Sequence, residues 1–204
     1  MALEGGDGAG KSTQIKRLAK ALQHTTREIL LTREPGGSDL GDQLRSLVLD
    51  PQMAVDPRTE ALLFAASRSA HVQTVIRPAL ERGAIVITDR YVDSSVAYQG
   101  AGRELGIAAI RELNDWAVDG VLPDLTVLLD VAEQTGRQRR DQRHEDRMER
   151  ESAQFHNRVR QTFMALAQED PTRYLVLAAD EPMSVISAHI HHRVLALLDE
   201  RGLA

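Results

Sequence analysis

Cysteine is absent from this 204-residue chain. That excludes a disulfide framework, a thiolate metal site and a cysteine nucleophile. Long apolar runs are absent too, and none approaches the roughly 18 residues that a membrane-spanning helix needs. The first residues show no basic segment followed by an apolar one, so no secretory signal is read there. A cytoplasmic protein is expected. Positive charge is in the minority, with a formal net charge of −5. Proteins that live on duplex nucleic acid usually present a basic face, so neither a nucleic acid nor a membrane is expected as partner. Lysine is scarce. Lys11, Lys16 and Lys20 are the only lysines among 25 basic residues. A coding bias toward arginine explains this most simply, and it makes Lys11 more noticeable, because a phosphate-binding loop wants a compact ammonium. What remains, 42% hydrophobic and 27% charged, is a globular composition of a size that suits one domain, residues 1–204.

Apolar runs alternate with helical patterns from end to end, without a repeat or a low-complexity linker. Residues 2–4 are a strand stub. Strands are predicted at 28–32 (EILLT), 84–88 (AIVIT), 125–129 (LTVLL) and 173–177 (RYLVL). Unbroken apolar strands of this kind belong inside a parallel sheet. The spacing of Ile15, Leu18, Ala19 and Leu22 predicts a helix from 11 to about 24. Further helices are predicted over 40–49, 107–118 and 185–201. A long one over 57–82 is broken only at Pro78, and a charged helical tract runs over 132–167. The stretch EALLFAASRSA is apolar on most faces, which predicts burial on several sides or packing against another subunit. Trp116 is expected in the core, and His191-His192 on a helix face with no role. Strand–helix alternation throughout predicts an α/β fold of three layers, a five-stranded parallel sheet with helices on both faces. The first strand should be central in it. Three residues are short for a central strand, which predicts further apolar residues upstream.

Gly5-Gly6-Asp7-Gly8-Ala9-Gly10-Lys11-Ser12, followed by Thr13, fits the phosphate-loop pattern G-x-x-x-x-G-K-[ST]. It follows a strand stub and opens a helix, which is the context the motif requires. The glycines let backbone amides turn toward oxygens, and the helix start adds a favourable dipole. Lys11 is expected on the β- and γ-phosphates, with the Ser12 hydroxyl on Mg²⁺. Two strands end in an acid that could face the metal, at Asp89 and Asp130. Asp130 can equally be a helix N-cap. Asp89 stands next to Arg90 and is preferred.

The loop implies a nucleoside triphosphate, and three other segments bear on the reaction. REPGGS (33–38) makes a shaped turn at the carboxyl edge of the sheet, where ligands bind in doubly wound folds. In FAASR (64–68), Phe64 and Arg68 share a helix face and could offer a ring and a donor fork to a base. DRYVDSSVAYQG (89–100) packs charge, hydroxyls, an aromatic and an amide into twelve residues after a buried strand. Taken singly, each has a plain structural explanation as a core ring, an ion pair or a turn.

Together with EGGDGAGKSTQ, LLFAASRSAH and the arginine-rich DQRHEDRMERE, these blocks resemble the bacterial thymidylate kinases. The resemblance runs in order from residue 3 to about 163. It implies the P-loop kinase fold, ATP and dTMP as substrates, Mg²⁺ as cofactor, a homodimer, and an arginine-rich lid over about 137–150. It places Phe64 on the thymine ring and Arg68 on its O4, with Ser95 and Gln99 on the rest of the polar edge. Tyr98 falls against C2′ of the sugar, and Glu34 and Pro35 fall in the acceptor site. Arg45 and Arg90 grip the acceptor phosphate, and Asp7 lies near the 3′-hydroxyl and the transferring phosphate. Some family members carry an arginine at the position of Ala9. Its absence here moves the catalytic cation to the lid, with Arg147 preferred and Arg140 or Arg143 next. Adenine contacts are expected near residues 179–181. Rival readings are a kinase for another nucleotide (dUMP, UMP or CMP), or an ATPase that drives a partner.

A phosphate monoester has its second pKa near 6 and is largely a dianion at pH 7. No general base is needed for its attack. Catalysis is therefore expected to be positioning plus electrostatics from Lys11, Mg²⁺, Arg90 and a lid arginine.

Overall fold

The computed structural model describes residues 1–140 and 145–203, with Arg140 described by its backbone alone. Five strands form one parallel sheet in the order β2-β3-β1-β4-β5. These are β1 (Ala2–Glu4), β2 (Ile29–Arg33), β3 (Ile85–Asp89), β4 (Thr126–Asp130) and β5 (Tyr174–Ala178). The short β1 is the central strand, as expected. Each of the other four extends one residue further toward its C-terminus than the apolar pattern indicates. The ladder hydrogen bonds carry it on, pairing Arg33 with Asp89 and Asp130 with Ala178. Asp89 and Asp130 are thus the last residues of their strands, on the edge where ligands bind in such sheets.

Alternation along each strand sends neighbouring side chains to opposite faces. Leu3, Ile87, Val127 and Leu129 face a layer made by α1 (Lys11–Ala21) and α9 (Met183–Glu200), which contributes Ile15, Leu18, Ile186, Ile190 and Val194. Ala2, Val86 and Leu128 face the other layer. That layer holds α3 (Pro57–His71), α4 (Arg77–Glu81), α5 (Val92–Ser95), α6 (Ile107–Val118) and α8 (Ala153–Glu169). The shorter α2 (Asp39–Leu49) packs on α3, and α7 (Glu133–Arg140) follows β4. Among the described residues no helix is long and apolar enough to cross a membrane.

The helical expectations need three corrections. The helix over 57–82 does not break at Pro78. A π-helical segment, Val72–Ile76, widens the turn before Pro78, which then falls in the first turn of α4. Proline lacks an N–H and crowds the carbonyl four residues back, and a widened turn relieves both. Among the described residues the charged tract over 132–167 holds two helices, α7 and α8. Between them the Asp146 carboxylate accepts from the amides of Met148 and Glu149, and the Ser152 side chain caps α8 by accepting from Phe155. Asp146 caps the turn it opens, and Ser152 caps the start of α8. Trp116 is not core. It is 83% exposed on α6, whose inward residues are Ile110, Asn114, Ala117 and Val118.

Candidate active site

One cleft of about 680 Å³ lies over the C-terminal edge of the sheet. At one end are Asp7, Gly8, Gly10, Lys11, Ser12 and Thr13. At the other are Glu34, Pro35, Phe64, Arg68, Ser95 and Gln99. Asp89, Arg90, Arg45 and Tyr98 also line it. The topology explains the meeting: the phosphate loop follows the central β1, and the DRY segment follows its neighbour β3.

The loop is shaped by its glycines. Gly10 caps α1 in a left-handed conformation (φ 93°), and no side chain occupies the cap. The first turn of α1 carries no acid, so its amides and dipole face the cleft without competition from a carboxylate. A Cβ on Gly8 would collide with the backbone carbonyl of Gly136 in α7, and one on Gly136 would lie 2.6 Å from the Asp7 carbonyl. Loop and lid helix therefore touch backbone to backbone. Gly136 went unnoticed in the sequence because nothing local marks it.

Lys11 is buried and folds its Nζ onto the carbonyls of Gly5 and Gly6, at 2.9 and 3.0 Å. Burial, and then the Arg90 charge, pull its pKa down to about 8. Ala9 is buried in the apolar layer under α1. The Ser12 hydroxyl donates to Asp89 Oδ2 at 2.8 Å. Asp130 is held by both arms of Arg160, at 2.6 and 2.8 Å.

Arg90 stands at the middle of the cleft. Its backbone takes the left-handed region (φ 69°), which is uncommon outside glycine. Thr88 Oγ1 donates to its carbonyl and its own amide donates to Leu3. The guanidinium donates to Asp7 Oδ1 at 2.6 Å, to Ser94 Oγ at 3.0 Å and to Tyr98 Oη at 3.3 Å. Burial opposes its charge, but Asp7 and the other acids nearby outweigh this and hold the pKa well above the usual value. Tyr98 also donates to Asp7 Oδ2 at 3.3 Å. Burial pushes its phenol up.

Behind Arg90 lies Glu4, the fully buried last residue of β1. It accepts from the amides of Tyr91 (2.8 Å) and Ser94 (3.2 Å) and from Ser94 Oγ (2.6 Å). Burial and then Asp93 raise its pKa to about 7. A directed chain runs from Arg90 Nη1 through the Ser94 hydroxyl to the Glu4 carboxylate.

At the acceptor end Arg68 is nearly sealed. It donates to Glu34 Oε2 at 2.6 Å, Ser95 Oγ at 2.8 Å, the Tyr91 carbonyl at 3.0 Å, and Asn114 Oδ1. Glu34 also meets His71, whose other ring nitrogen pairs with Thr32 at 2.6 Å. Arg45 donates to the Pro35 carbonyl at 2.8 Å, and burial followed by the nearby Arg33 charge lowers its pKa. Gln99 donates from Nε2 to Glu60 at 2.9 Å. Phe64 is half-buried with a face on the cleft.

The lid differs from expectation. Arg147 does not line the cleft. It donates to Glu60 Oε2 at 2.7 Å and to the Val48 carbonyl at 2.9 Å. Arg143 lies outside the described residues, and the Arg140 side chain is likewise outside the description. Among the described residues the lid arginine that lines the cleft is Arg139, donating to the carbonyls of Gly8 (3.4 Å) and Ala179 (3.1 Å). Sequence reasoning missed Glu60, Arg103, Asn114 and His71. Each is a polar residue whose partner lies dozens of positions away.

The arrangement suits transfer between two anions. A triphosphate loop and a base-sized pocket share one cleft, with cations between them and no nucleophilic side chain needed. Comparison with known proteins agrees. A thymidylate kinase family model matches residues 3–190. The chain is similar to the thymidylate kinase of Clavibacter sepedonicus, 55% identical over 198 residues that cover 96% of this chain and 94% of that one. It is 47% identical to the thymidylate kinase of Deinococcus radiodurans over 98% of this chain and 96% of the other. Its fold matches a solved thymidylate kinase from Ehrlichia chaffeensis with a TM-score of 0.74 and 34% identity, covering 97% and 96% of the two chains.

Proposed function

The chain belongs to the thymidylate kinase family and phosphorylates dTMP to dTDP with ATP; on that premise we propose which of its residues do so. The observation that carries the reading is the single cleft with a phosphate loop at one end, a Phe64–Arg68 pocket at the other and Arg90 between. Residues 5–13 hold the ATP phosphates. Lys11 leaves the Gly5 and Gly6 carbonyls for phosphate oxygens, a partner better able to hold a charged ammonium. Phe64 stacks on thymine, and Arg68, Ser95 and Gln99 face its polar edge. Tyr98 meets the sugar at C2′. Arg45 and Arg90 hold the acceptor phosphate beside Glu34 and Pro35. Asp7 keeps Arg90 aimed and lies beside the transferring group.

Ser12 and Asp89 fit Mg²⁺. That ion takes one or two carboxylates and completes its shell with water and phosphate oxygens, and here a hydroxyl and a carboxylate meet at 2.8 Å beside the loop. Among the described residues no group of three or more acids or histidines could hold a metal alone, which suits an ion that arrives with its nucleotide. Bound there, it neutralises charge on the β- and γ-phosphates. The protein's own part is to align two anions and set positive charge where it accumulates. Of the lid arginines, Arg139 takes the role expected of Arg147, with Arg140 and Arg143 as its neighbours in sequence.

We further place the enzyme in the cytoplasm as a homodimer. Leu62 and Trp116 are 58% and 83% exposed on α3 and α6, two helices that pack on each other, and a contiguous apolar face across such a pair is what a partner surface would cover. A monomer by light scattering at micromolar concentration would count against the dimer. The function is tested by ADP release with a panel of monophosphates. Turnover stimulated by dTMP above dUMP, UMP and CMP is expected. ATP turnover indifferent to every monophosphate would overturn it.

A further inference from the structure

Resting on this reading of the cleft, we propose that Glu60 is a specificity-determining positioning residue: it fixes which end of the Gln99 carboxamide faces the acceptor base, and so favours a base carrying N3–H over cytosine. Glu60 lies in the first turns of α3, away from the chemistry, with no exposure. Its Oε1 accepts from Gln99 Nε2 at 2.9 Å and Arg103 Nε at 3.1 Å. Its Oε2 accepts from Arg147 Nη1 at 2.7 Å and Arg103 Nε at 3.1 Å. A carboxylate held between two guanidiniums can only accept. Gln99 must therefore turn its NH₂ toward Glu60 and its Oε1 away.

The two ends of a carboxamide are almost the same shape, so only neighbours decide its orientation. Gln99 is 1% exposed and lines the cleft. Among the described residues its Oε1 accepts from no protein donor, yet it is not one of the sealed polar atoms left without a partner. It opens on the cleft. On the same cleft wall Arg68 is aimed by Glu34, Ser95, Asn114 and the Tyr91 carbonyl, which take four of its five N–H groups and leave one donor on Nη2. A donor beside an acceptor complements O4 and N3–H of thymine or uracil. Cytosine offers the reverse, an amino group and a bare N3. With the amide flipped, this wall would show donors alone and would lose its objection to cytosine N3.

The test is kcat/KM for dTMP, dUMP and dCMP in wild type, Glu60→Gln and Gln99→Met. Glutamine at position 60 can accept or donate, which frees the Gln99 amide. The dTMP:dCMP ratio should fall about tenfold, one neutral hydrogen bond or about 1.4 kcal/mol. The dTMP:dUMP ratio should stay within twofold, because both bases carry N3–H. Gln99→Met should lower the first ratio similarly, and the double variant should add little to either. Arg103→Met, which disturbs the same cluster without touching Gln99, should leave the ratio in place. Should Glu60→Gln not fold, Glu60→Asp keeps the charge between the arginines while withdrawing its oxygen from Gln99, and is read the same way. A folded Glu60 variant with an unchanged dTMP:dCMP ratio overturns the proposal, as does an unchanged ratio in Gln99→Met. A wild type that does not use dTMP overturns the underlying reading instead.

Discussion

Arg147→Met separates a structural brace from a phosphate-handling arginine. In the structure Arg147 gives one charge-assisted bond to the fully buried Glu60 and one to the Val48 carbonyl, and its backbone amide is bound to Leu49. Removing the only partner of a buried charge costs about 3–5 kcal/mol. Glu60 keeps Arg103 and Gln99, so the loss is smaller. One charge-assisted bond at about 1.5–3 kcal/mol, with methionine filling most of the volume, sets the cost at about 2 kcal/mol. For a domain of about 150–250 residues that is a fall in Tm of about 4–8 °C. Well below that Tm, kcat with saturating ATP and dTMP should stay within about threefold of wild type, since the guanidinium does not face the cleft. Arg139→Met should give the opposite pattern, a large loss in kcat with Tm little changed. The assays are a thermal melt and a coupled ADP-release titration on the same preparations. A fall in kcat of about 100-fold with an unmoved Tm in Arg147→Met, on the scale of an arginine that acts at the transferring phosphoryl, would refute this placement.

Three other substitutions probe the remaining parts. Lys11→Ala should abolish turnover and leave the far-UV spectrum unchanged; substantial residual kinase activity would remove the phosphate-loop assignment. Tyr98→Ala should narrow the preference for deoxyribose over ribose acceptors, and an unchanged dTMP to ribo-TMP ratio would remove Tyr98 from C2′. Glu4→Gln should flatten the pH dependence of stability. The folded pKa of Glu4 is raised to about 7 from 4.5, by burial and then by Asp93, against Arg90, Ser94 and the Tyr91 amide, which favour the charge. Between those values the fold binds more protons than the unfolded chain, so this group's contribution is present at low pH and fades as pH rises toward 7. The stability of Glu4→Gln relative to wild type should therefore improve from pH 5 to pH 8; a constant difference would show that Glu4 does not titrate there.

Local features were legible in the sequence and remote ones were not. The phosphate-loop motif is contiguous in sequence, so it carries its own geometry. Apolar runs mark the strands in the sequence but stop a residue short of their ends, because ladder bonds extend into Asp89 and Asp130, where apolar character stops. Pro78 reads as a helix breaker only if every turn is an α-turn, and the π segment Val72–Ile76 makes room for it. Within the charge run at 141–151, the Asp146 cap is indistinguishable from any other acid. Glu60 reads as a surface acid that complements a helix dipole. Only the fold brings it to Gln99, Arg103 and Arg147, which stand 39 to 87 positions away.

The cations of the cleft are held in place before any phosphate meets them. Lys11 rests on two loop carbonyls, Arg90 on Asp7 and Ser94, and Arg139 on the carbonyls of Gly8 and Ala179. Lys11 is buried and Arg90 nearly so, so for these two little side-chain entropy remains to be lost when oxygen ligands arrive. On the assignment proposed above the cost is a competition: an acceptor phosphate would share Arg90 with Asp7. Asp7 belongs to the phosphate loop, and Arg90 to the segment that leads into the base pocket. The ion pair at 2.6 Å therefore ties the donor end of the cleft to the acceptor end. Charge placed on either side is felt by the other, because a partly buried pair is less screened than one in water. The ion pair gives a physical reason for an acid to stand within a loop of phosphate-binding pattern.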